Sequence, residues 1–174
     1  EQRGLGTTAA LYVSVQVEVA WGRFSGSNVY EGVVQDRADF PFVDALGLSS
    51  YPYLGGFTDP DQLPLDYYAR IDAGDPIPLL VVEGGWASQS AGGFTTSPAT
   101  QARYIHRQAE LLDSARAVAI FQLSFTDLAL SLFPPQPPGS ILPLFATLGL
   151  VDTVLTPKPS LAAWDSVFAR PLRP

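Results

Sequence analysis

The feature that most constrains the fold is a fourfold alternation of strand-like and helix-like segments. Each strand-like segment is rich in Val, Leu, Ile or Phe, and a loop and a helical pattern follow it. The four strand candidates are 10–22, 42–53, 78–83 and 117–128. Strands that alternate with helices pair in parallel, and the helices then cover the sheet. The sequence therefore predicts an α/β fold with a parallel sheet.

The first strand candidate shows the clearest period of two. Its valines alternate with polar or aromatic residues, in the order Tyr12, Val13, Ser14, Val15, Gln16, Val17, Glu18, Val19. Successive side chains of a strand point to opposite faces, so one face is pure valine. The polar side chains on the other face lie toward the carboxyl end of the predicted strand.

Helix signals separate the strand candidates. The strongest predicts a helix that begins at Ser97–Pro98, an N-cap followed by proline in the first turn, and buries a face made of Ala102, Ile105, Ala109 and Leu112. A last helix is predicted after Ser160 as cap, with Leu161, Trp164 and Phe168 as its apolar stripe. Shorter helices are predicted over 63–74, with Gly74 as C-cap, and around 28–38.

Two architectures accommodate this order, a doubly wound open sheet and a (β/α)8 TIM barrel. The barrel is favoured because polar and aromatic residues follow the strands at their carboxyl ends, where barrels build their active sites. In addition, no glycine-rich phosphate loop follows the first strand. Four βα units are half of a barrel, so residues 1–174 are predicted to be one half of a single barrel domain. A second chain half or a second copy is then expected to complete it.

Charge and composition restrict the partners. The net charge is −7 and the pI is about 4.4, so binding to nucleic acid is not expected. No apolar run is long enough to span a membrane, and the absence of cysteine excludes disulfides and thiolate chemistry. Because the chain contains no methionine, we expect it to be a fragment or processed product of a longer protein.

The segment "PLLVVEGGWASQSAGGF", residues 78–94, runs an apolar strand into Glu83 and then into Gly-Gly-Trp. It resembles strand seven of the clan A glycoside hydrolases, retaining (β/α)8 enzymes whose nucleophile is a glutamate at the end of that strand. The residues that match are Val81, Glu83, Gly85 and Trp86. The following "SPATQARY" is similar to family 17, and "GLVDTVLTPKPSLAAWDSVF" is similar to the closing helix of families 53 and 5.

This resemblance covers nearly the whole chain, as the last four of eight βα units. It implies a glycosidase that degrades a β-linked poly- or oligosaccharide, with Glu83 as nucleophile and no cofactor. It also implies a secreted or extracytoplasmic protein. The alternative is a structural role for Glu83, as a carboxylate that is paired with an arginine or caps a loop.

Substrate-binding side chains are predicted around Glu83. "VDALGLSSYPY" is similar to strand six of the clan, and Tyr51 matches the tyrosine that lies beside the nucleophile. Its hydroxyl is predicted to donate to Glu83, and Trp86 to stack on a sugar ring. Further candidates for sugar contact are Gln16, Glu18, Tyr53, Phe121 and Gln122. For Glu18 a buried polar network is the alternative, and for each aromatic residue it is core packing.

Three departures from the clan pattern concern the site. The acid/base glutamate of the clan follows an asparagine, and the sequence contains no Asn-Glu pair, so the acid/base is expected on an N-terminal half. Phe121-Gln122 stands where a tryptophan is usual, and Ala87 replaces a common proline. A non-catalytic carbohydrate-binding protein, or a self-pairing half-barrel, is therefore the alternative function. The proline-rich loop 132–143 is predicted as a cleft rim or a plain surface loop.

Overall fold

The computed structural model describes residues 9–71 and 77–171, which are built on one parallel sheet. The strands follow in chain order across the sheet: β1 (Tyr12–Gln16), β2 (Ala45–Ser50), β3 (Leu79–Gly84) and β4 (Ala119–Ile120). All three pairings between neighbouring strands are parallel. The predicted α/β fold with a parallel sheet is confirmed.

The described residues form five α-helices beside the sheet: α1 (Val17–Ala20), α2 (Val34–Asp39), α3 (Pro98–Ala115), α4 (Leu142–Phe145) and α5 (Pro159–Phe168). Short 3-10 turns are formed by Pro52–Gly55, Pro60–Gln62 and Leu130–Leu132. Among these described helices, none combines the length and apolar character needed to cross a membrane.

The two faces of the sheet differ in how they are covered. On one face Leu46, Leu48 and Val81 are fully buried, in one apolar cluster with Tyr67 and other side chains from the connecting segments. On the opposite face of β1, Tyr12 and Ser14 are exposed. One face therefore carries the core, and the other is open at β1 within the described residues.

The first strand is shorter than predicted, because the chain leaves the sheet after Gln16 and forms the single helical turn α1. The turn buries Val17 and Glu18 and leaves Val19 exposed, which ends the alternation of the strand. Gly22 has a φ of +65°, and a Cβ there would lie 2.0 Å from the carbonyl oxygen of Val29. The tight return of the chain after α1 therefore needs glycine.

The fourth strand is also shorter than the predicted 117–128. Only Ala119 and Ile120 form regular ladder pairs, although the backbone NH groups of Val118 and Phe121 still donate to carbonyls of β3. Within the described residues β4 pairs with β3 alone, so one side of this strand has no ladder to keep it extended. The fourth strand is therefore a short edge strand.

The helix predictions have mixed outcomes. Helix α3 begins as predicted, with the hydroxyl of Ser97 accepting from the Thr100 NH at 3.2 Å. Helix α5 begins earlier than predicted: Pro159 is its first residue, and Ser160 is buried inside the helix instead of capping it.

The two shorter predicted helices are shorter or less regular in the structure than the sequence predicts. The segment 65–71 forms consecutive turns with mixed i→i+3 and i→i+4 bonds, and Gly74 lies outside the described residues. Adjacent Tyr67 and Tyr68 in that segment are both fully buried, so it does not present one apolar stripe and one solvated stripe. Around 28–38 the structure contains only the six residues of α2.

Candidate active site

The candidate active site lies at the carboxyl ends of β1, β2 and β3, where three polar side chains lie side by side on adjacent strands. Gln16 pairs with Ser49, and Ser49 pairs with Glu83. The register shifts just before this point: Leu48 faces Val81, so Val82 is an extra residue in β3. In an unbroken register Ser49 would face Val82, and Glu83 would point to the other side of the sheet. The β-bulge therefore places Glu83 beside Ser49.

Ser49 connects the two neighbouring side chains. Its Oγ lies 2.6 Å from Glu83 Oε1 and 2.9 Å from Gln16 Oε1. A serine hydroxyl has one proton, so it donates to one of these acceptors at a time. The bond to a carboxylate is the stronger of the two, because an ionised acceptor attracts the proton more. Ser49 therefore holds the Glu83 carboxylate in a fixed orientation.

Ser49 was not among the residues predicted from the sequence. The usable signal is its place near the end of a strand in "LGLSSYPY", with the parity that faces the barrel interior in the predicted fold. The position of Ser49 beside Glu83 depends on the bulge in β3, and the sequence around Val82 does not predict a bulge.

Glu18 belongs to a buried polar network. It is 0% exposed, and its carboxylate accepts hydrogen bonds from the Tyr67 hydroxyl at 2.8 Å, the Tyr51 backbone NH at 3.0 Å and the Gln16 side-chain amide. Burial raises the pKa of Glu18, while these hydrogen bonds oppose the rise. A side chain with no exposed surface has no place for a sugar hydroxyl. The structure therefore assigns Glu18 to the network and not to substrate contact.

A pocket of about 600 Å³ opens beside Glu83. Gln16, Tyr51 and Glu83 supply its polar groups. The rest of its lining is apolar and comes from the segments that follow β1, β2 and β4, including one 3-10 turn and helix α4, namely Phe24, Leu54, Leu123, Ile141 and Phe145. Ile141 belongs to the proline-rich loop 132–143, so that loop forms part of the pocket wall.

Tyr51 lies in the pocket lining together with Glu83. Its ring packs edge-on against Phe145 with 4.8 Å between ring centroids. Burial raises the pKa of the Tyr51 hydroxyl, and the negative charge of Glu83 raises it further. The hydroxyl therefore keeps its proton near neutral pH. Its donation to the Glu83 carboxylate stays a prediction.

Trp86 and Tyr53 lie in the core instead of on the pocket wall. Trp86 is 0% exposed, its indole NH donates to Thr96 Oγ1 at 3.0 Å, and the ring of Tyr104 lies 5.2 Å away. Tyr53 is also buried and stacks on Phe94 at 5.0 Å. A fully enclosed ring offers no face to a sugar, so Trp86 packs the core under the site and is not a stacking platform.

Two candidates from the fourth strand also lie outside the pocket lining. Phe121 is exposed, and Gln122 donates from its Nε2 to the Leu148 carbonyl at 2.7 Å. This bond ties the loop after β4 to the segment before α5. Asp127, which ends the predicted strand, forms a buried ion pair with Lys158 at 2.7 Å. Both polar side chains are engaged by the protein itself.

No family model and no curated protein sequence matches this chain. Its structure is similar to a β-D-glucuronidase of Dictyoglomus thermophilum, with TM-score 0.64, 16% identity, and coverage of 97% of this chain and 27% of that one. It is also similar to xylanase 10B of Thermotoga petrophila, with TM-score 0.54, 19% identity and coverage of 91% and 46%.

A third similar structure is the GH53 catalytic domain of Ignisphaera aggregans, with TM-score 0.53, 16% identity and coverage of 91% of this chain and 46% of that one. The chain therefore spans less than half of each of these three structures. At such identities the likeness shows the fold. It is an α/β fold with a parallel sheet, similar to part of the TIM-barrel glycoside hydrolases of clan A.

Proposed function

We propose that this chain is the C-terminal half of a retaining glycoside hydrolase and supplies its nucleophile, Glu83. The observation that carries the proposal is the position of Glu83 at the carboxyl end of a parallel strand. There it is half-buried, lines a pocket and is oriented by Ser49 at 2.6 Å. Parallel α/β enzymes build their sites at this end of the sheet.

The chemistry follows the two-carboxyl scheme of retaining glycosidases. The Glu83 carboxylate forms a bond to the anomeric carbon while the glycosidic C–O bond breaks, and an acid gives its proton to the leaving oxygen. Water then attacks the glycosyl-enzyme, transfers a proton to the same group and restores the carboxylate. Ser49 holds Oε1 of Glu83, and we assign the attack to Oε2.

The acid/base is assigned to a part of the protein outside this chain. Glu18 does not fit that role, because a fully buried carboxyl has no path for a proton to a substrate oxygen. Among the residues that the structure describes, Glu83 is the one carboxylate in the pocket lining. Two edge strands, β1 and β4, and the exposed Tyr12 on the open sheet face support a partner that contributes the other four strands.

The test is a Glu83→Gln substitution in the protein that contains this chain. Gln keeps the shape and a carbonyl oxygen for Ser49 but is a poor nucleophile, so we expect hydrolysis of aryl β-glycosides to fall at least about 1,000-fold. Unfolding by urea should hardly change. Glu31→Gln, at an exposed glutamate outside the pocket lining, is the matched control and should keep the full rate.

A 2-fluoro glycoside that traps the glycosyl-enzyme gives a second readout. We expect it to label the peptide that contains Glu83 in the unaltered protein and not in the variant. An unchanged rate after Glu83→Gln, or a label on another peptide, would contradict the assignment.

The alternative is a carbohydrate-binding protein without hydrolysis. One observation favours it: within residues 9–71 and 77–171, the pocket lining holds a single carboxylate. If glycosides bind the protein in this pocket, and neither the unaltered protein nor its Glu83→Gln variant hydrolyses them, this alternative replaces the hydrolase.

A further inference from the structure

Three exposed apolar side chains converge on the pocket of Glu83. Phe24 is 50% exposed, Leu123 40% and Ile141 56%. They come from three separate stretches of chain, after α1, after β4 and before α4. Large apolar side chains that gather at one exposed place mark a binding surface, whereas single ones are ordinary. The three side chains therefore define an apolar rim on the pocket.

Part of the polar capacity of the pocket is engaged by the protein itself. The Gln16 amide donates to Glu18, and the single Ser49 proton is shared between Gln16 Oε1 and Glu83 Oε1. A sugar ring carries several hydroxyls, and each that leaves water without a partner costs free energy. The polar residues of the lining, Gln16, Tyr51 and Glu83, lie together at the strand ends, whereas the rim is apolar, so the part of the pocket built by this chain suits one sugar at Glu83 better than a second sugar on the rim.

The geometry points to a β-glycoside with an apolar, aryl aglycone as the substrate class. This inference rests on the proposed function, since it places the anomeric carbon at Glu83. The sugar ring then lies beside Glu83 and Tyr51, and the aglycone lies against the apolar rim of Phe24, Leu123 and Ile141. A pocket of about 600 Å³ is in the range that holds a ligand of two rings.

The aliphatic members of the rim decide between an aryl group and a second sugar. A sugar binds through hydrogen bonds and through its flat C–H face on an aromatic ring. Leu123 and Ile141 offer neither a hydrogen bond nor a flat ring. They do bury apolar surface against an aryl group, and removing apolar surface from water favours binding in proportion to the area buried. A neutral aryl group also avoids repulsion from the Glu83 carboxylate.

The inference is tested by binding to the Glu83→Gln form of the protein, which is expected to bind glycosides without turning them over. The ligands are phenyl β-glycosides of glucose, galactose, mannose, xylose and glucuronic acid, each compared with a β-linked disaccharide that carries the same non-reducing sugar. Affinities are measured by calorimetry, and saturation-transfer NMR reports which protons touch the protein. For the best sugar we expect the phenyl glycoside to bind at least about tenfold more tightly than its disaccharide, with the phenyl protons most strongly saturated.

A matched pair of substitutions locates the contact. Leu123→Asn is expected to weaken phenyl glycoside binding about tenfold and to leave the disaccharide nearly unchanged. Leu132→Asn is the control, because Leu132 is 84% exposed and does not line the pocket. It should change neither affinity.

Equal affinities for both ligand types, or equal effects of Leu123→Asn and Leu132→Asn, would overturn the inference. So would the absence of phenyl glycoside binding, which would show that the rim is covered by protein. These results are distinct from failure of the proposed function. Tight phenyl glycoside binding without hydrolysis by the unaltered protein refutes the hydrolase and keeps the binding site. Hydrolysis that depends on Glu83, by a protein that binds phenyl glycosides and disaccharides equally well, supports the hydrolase and refutes the aryl preference.

Discussion

Two glutamates near the carboxyl ends of the strands differ sharply although they belong to one hydrogen-bonded chain. Glu18 is fully buried and accepts from Tyr67, Tyr51 and Gln16. Glu83 is half-buried, accepts from Ser49 and faces the pocket. Gln16 and Ser49 link the two carboxylates. The surroundings of each carboxylate therefore decide what it does.

The same residue type thus acquires two roles from its surroundings. A carboxylate that is enclosed and surrounded by donors stabilises the fold and is shielded from substrates. A carboxylate that is held on one side and open on the other is oriented yet reachable. We therefore expect changes at Glu18 to alter stability first, and changes around Glu83 to alter catalysis first.

The largest expected effect on stability comes from Glu18→Leu. The change leaves the Tyr67 hydroxyl, the Tyr51 NH and the Gln16 amide without their acceptor, and each buried unsatisfied donor costs about 1 kcal/mol or more. The free energy of unfolding should fall by about 3 kcal/mol in urea titrations. Glu110→Leu, at an exposed glutamate of α3, should change it by less than about 1 kcal/mol. Similar losses for both variants would remove the distinction between the network and the surface.

The next effect is that of Tyr67→Phe, which removes one donor to Glu18. A buried hydrogen bond contributes about 1 kcal/mol, so stability should fall by about that amount. The same change at Tyr12, an exposed tyrosine of β1, should stay within about 0.5 kcal/mol. Thermal unfolding of the two variants side by side measures the difference, and an unaffected Tyr67→Phe variant would show that the bond adds nothing.

On the Glu83 side the expected effect is kinetic. Ser49→Ala removes the donor that orients the carboxylate, and kcat should fall about tenfold with a smaller change in KM. Ser49→Thr keeps the hydroxyl and should restore part of the rate. The control is Ser50→Ala: Ser50 lies next in the strand, and its hydroxyl accepts from Tyr68 on the core side. Equal kcat losses in both alanine variants, or no rescue by Thr, would indicate a general loss of packing.

The smallest effect is a slope of stability against pH. Burial raises the pKa of Glu18 above its ordinary value of 4.5, so the folded chain keeps a proton that the unfolded chain has lost. This contribution to stability is full below about pH 4.5 and disappears as the pH rises through the folded pKa.

The side chain of the Glu18→Gln variant does not ionise in this pH range, so the variant serves as the reference for the pH slope. As pH rises above about 4.5, the unfolding free energy of the unaltered chain should fall relative to that of the variant, by at most about 1.4 kcal/mol per pH unit. Urea titrations of both proteins across this range measure the slope. Parallel curves would show that Glu18 ionises alike in both states.

Local patterns in the sequence predicted much of the fold. The apolar run that ends at Glu83 became β3, and Ser97–Pro98 marked the start of α3. The alternation of strands and helices predicted the parallel order of the sheet. These features depend on residues close together in the chain, through propensity, capping and periodicity. The position of Glu83 at a strand end belongs to this predictable part, whereas its proximity to Tyr51 was expected only from the resemblance to clan A.

The remaining features depend on contacts between distant residues. The alternating valines continue past Gln16, yet the chain turns there. In this turn Glu18 accepts a hydrogen bond from the buried Tyr67, 49 residues away in the sequence. Trp86 follows the site in sequence, but Tyr104 and other aromatic rings enclose it in the core.

Local patterns in the sequence were enough to predict the four strand–helix units and the position of Glu83 at a strand end, but not the short bounds of β1 and β4. Tertiary structure alone decided which carboxylate is enclosed and which is open to the pocket, and it brought Ser49 to Glu83 through the bulge in β3. The physical reason is that periodicity fixes the face of a side chain within its own element. Register, burial and hydrogen-bond partners are set only when separate elements pack together.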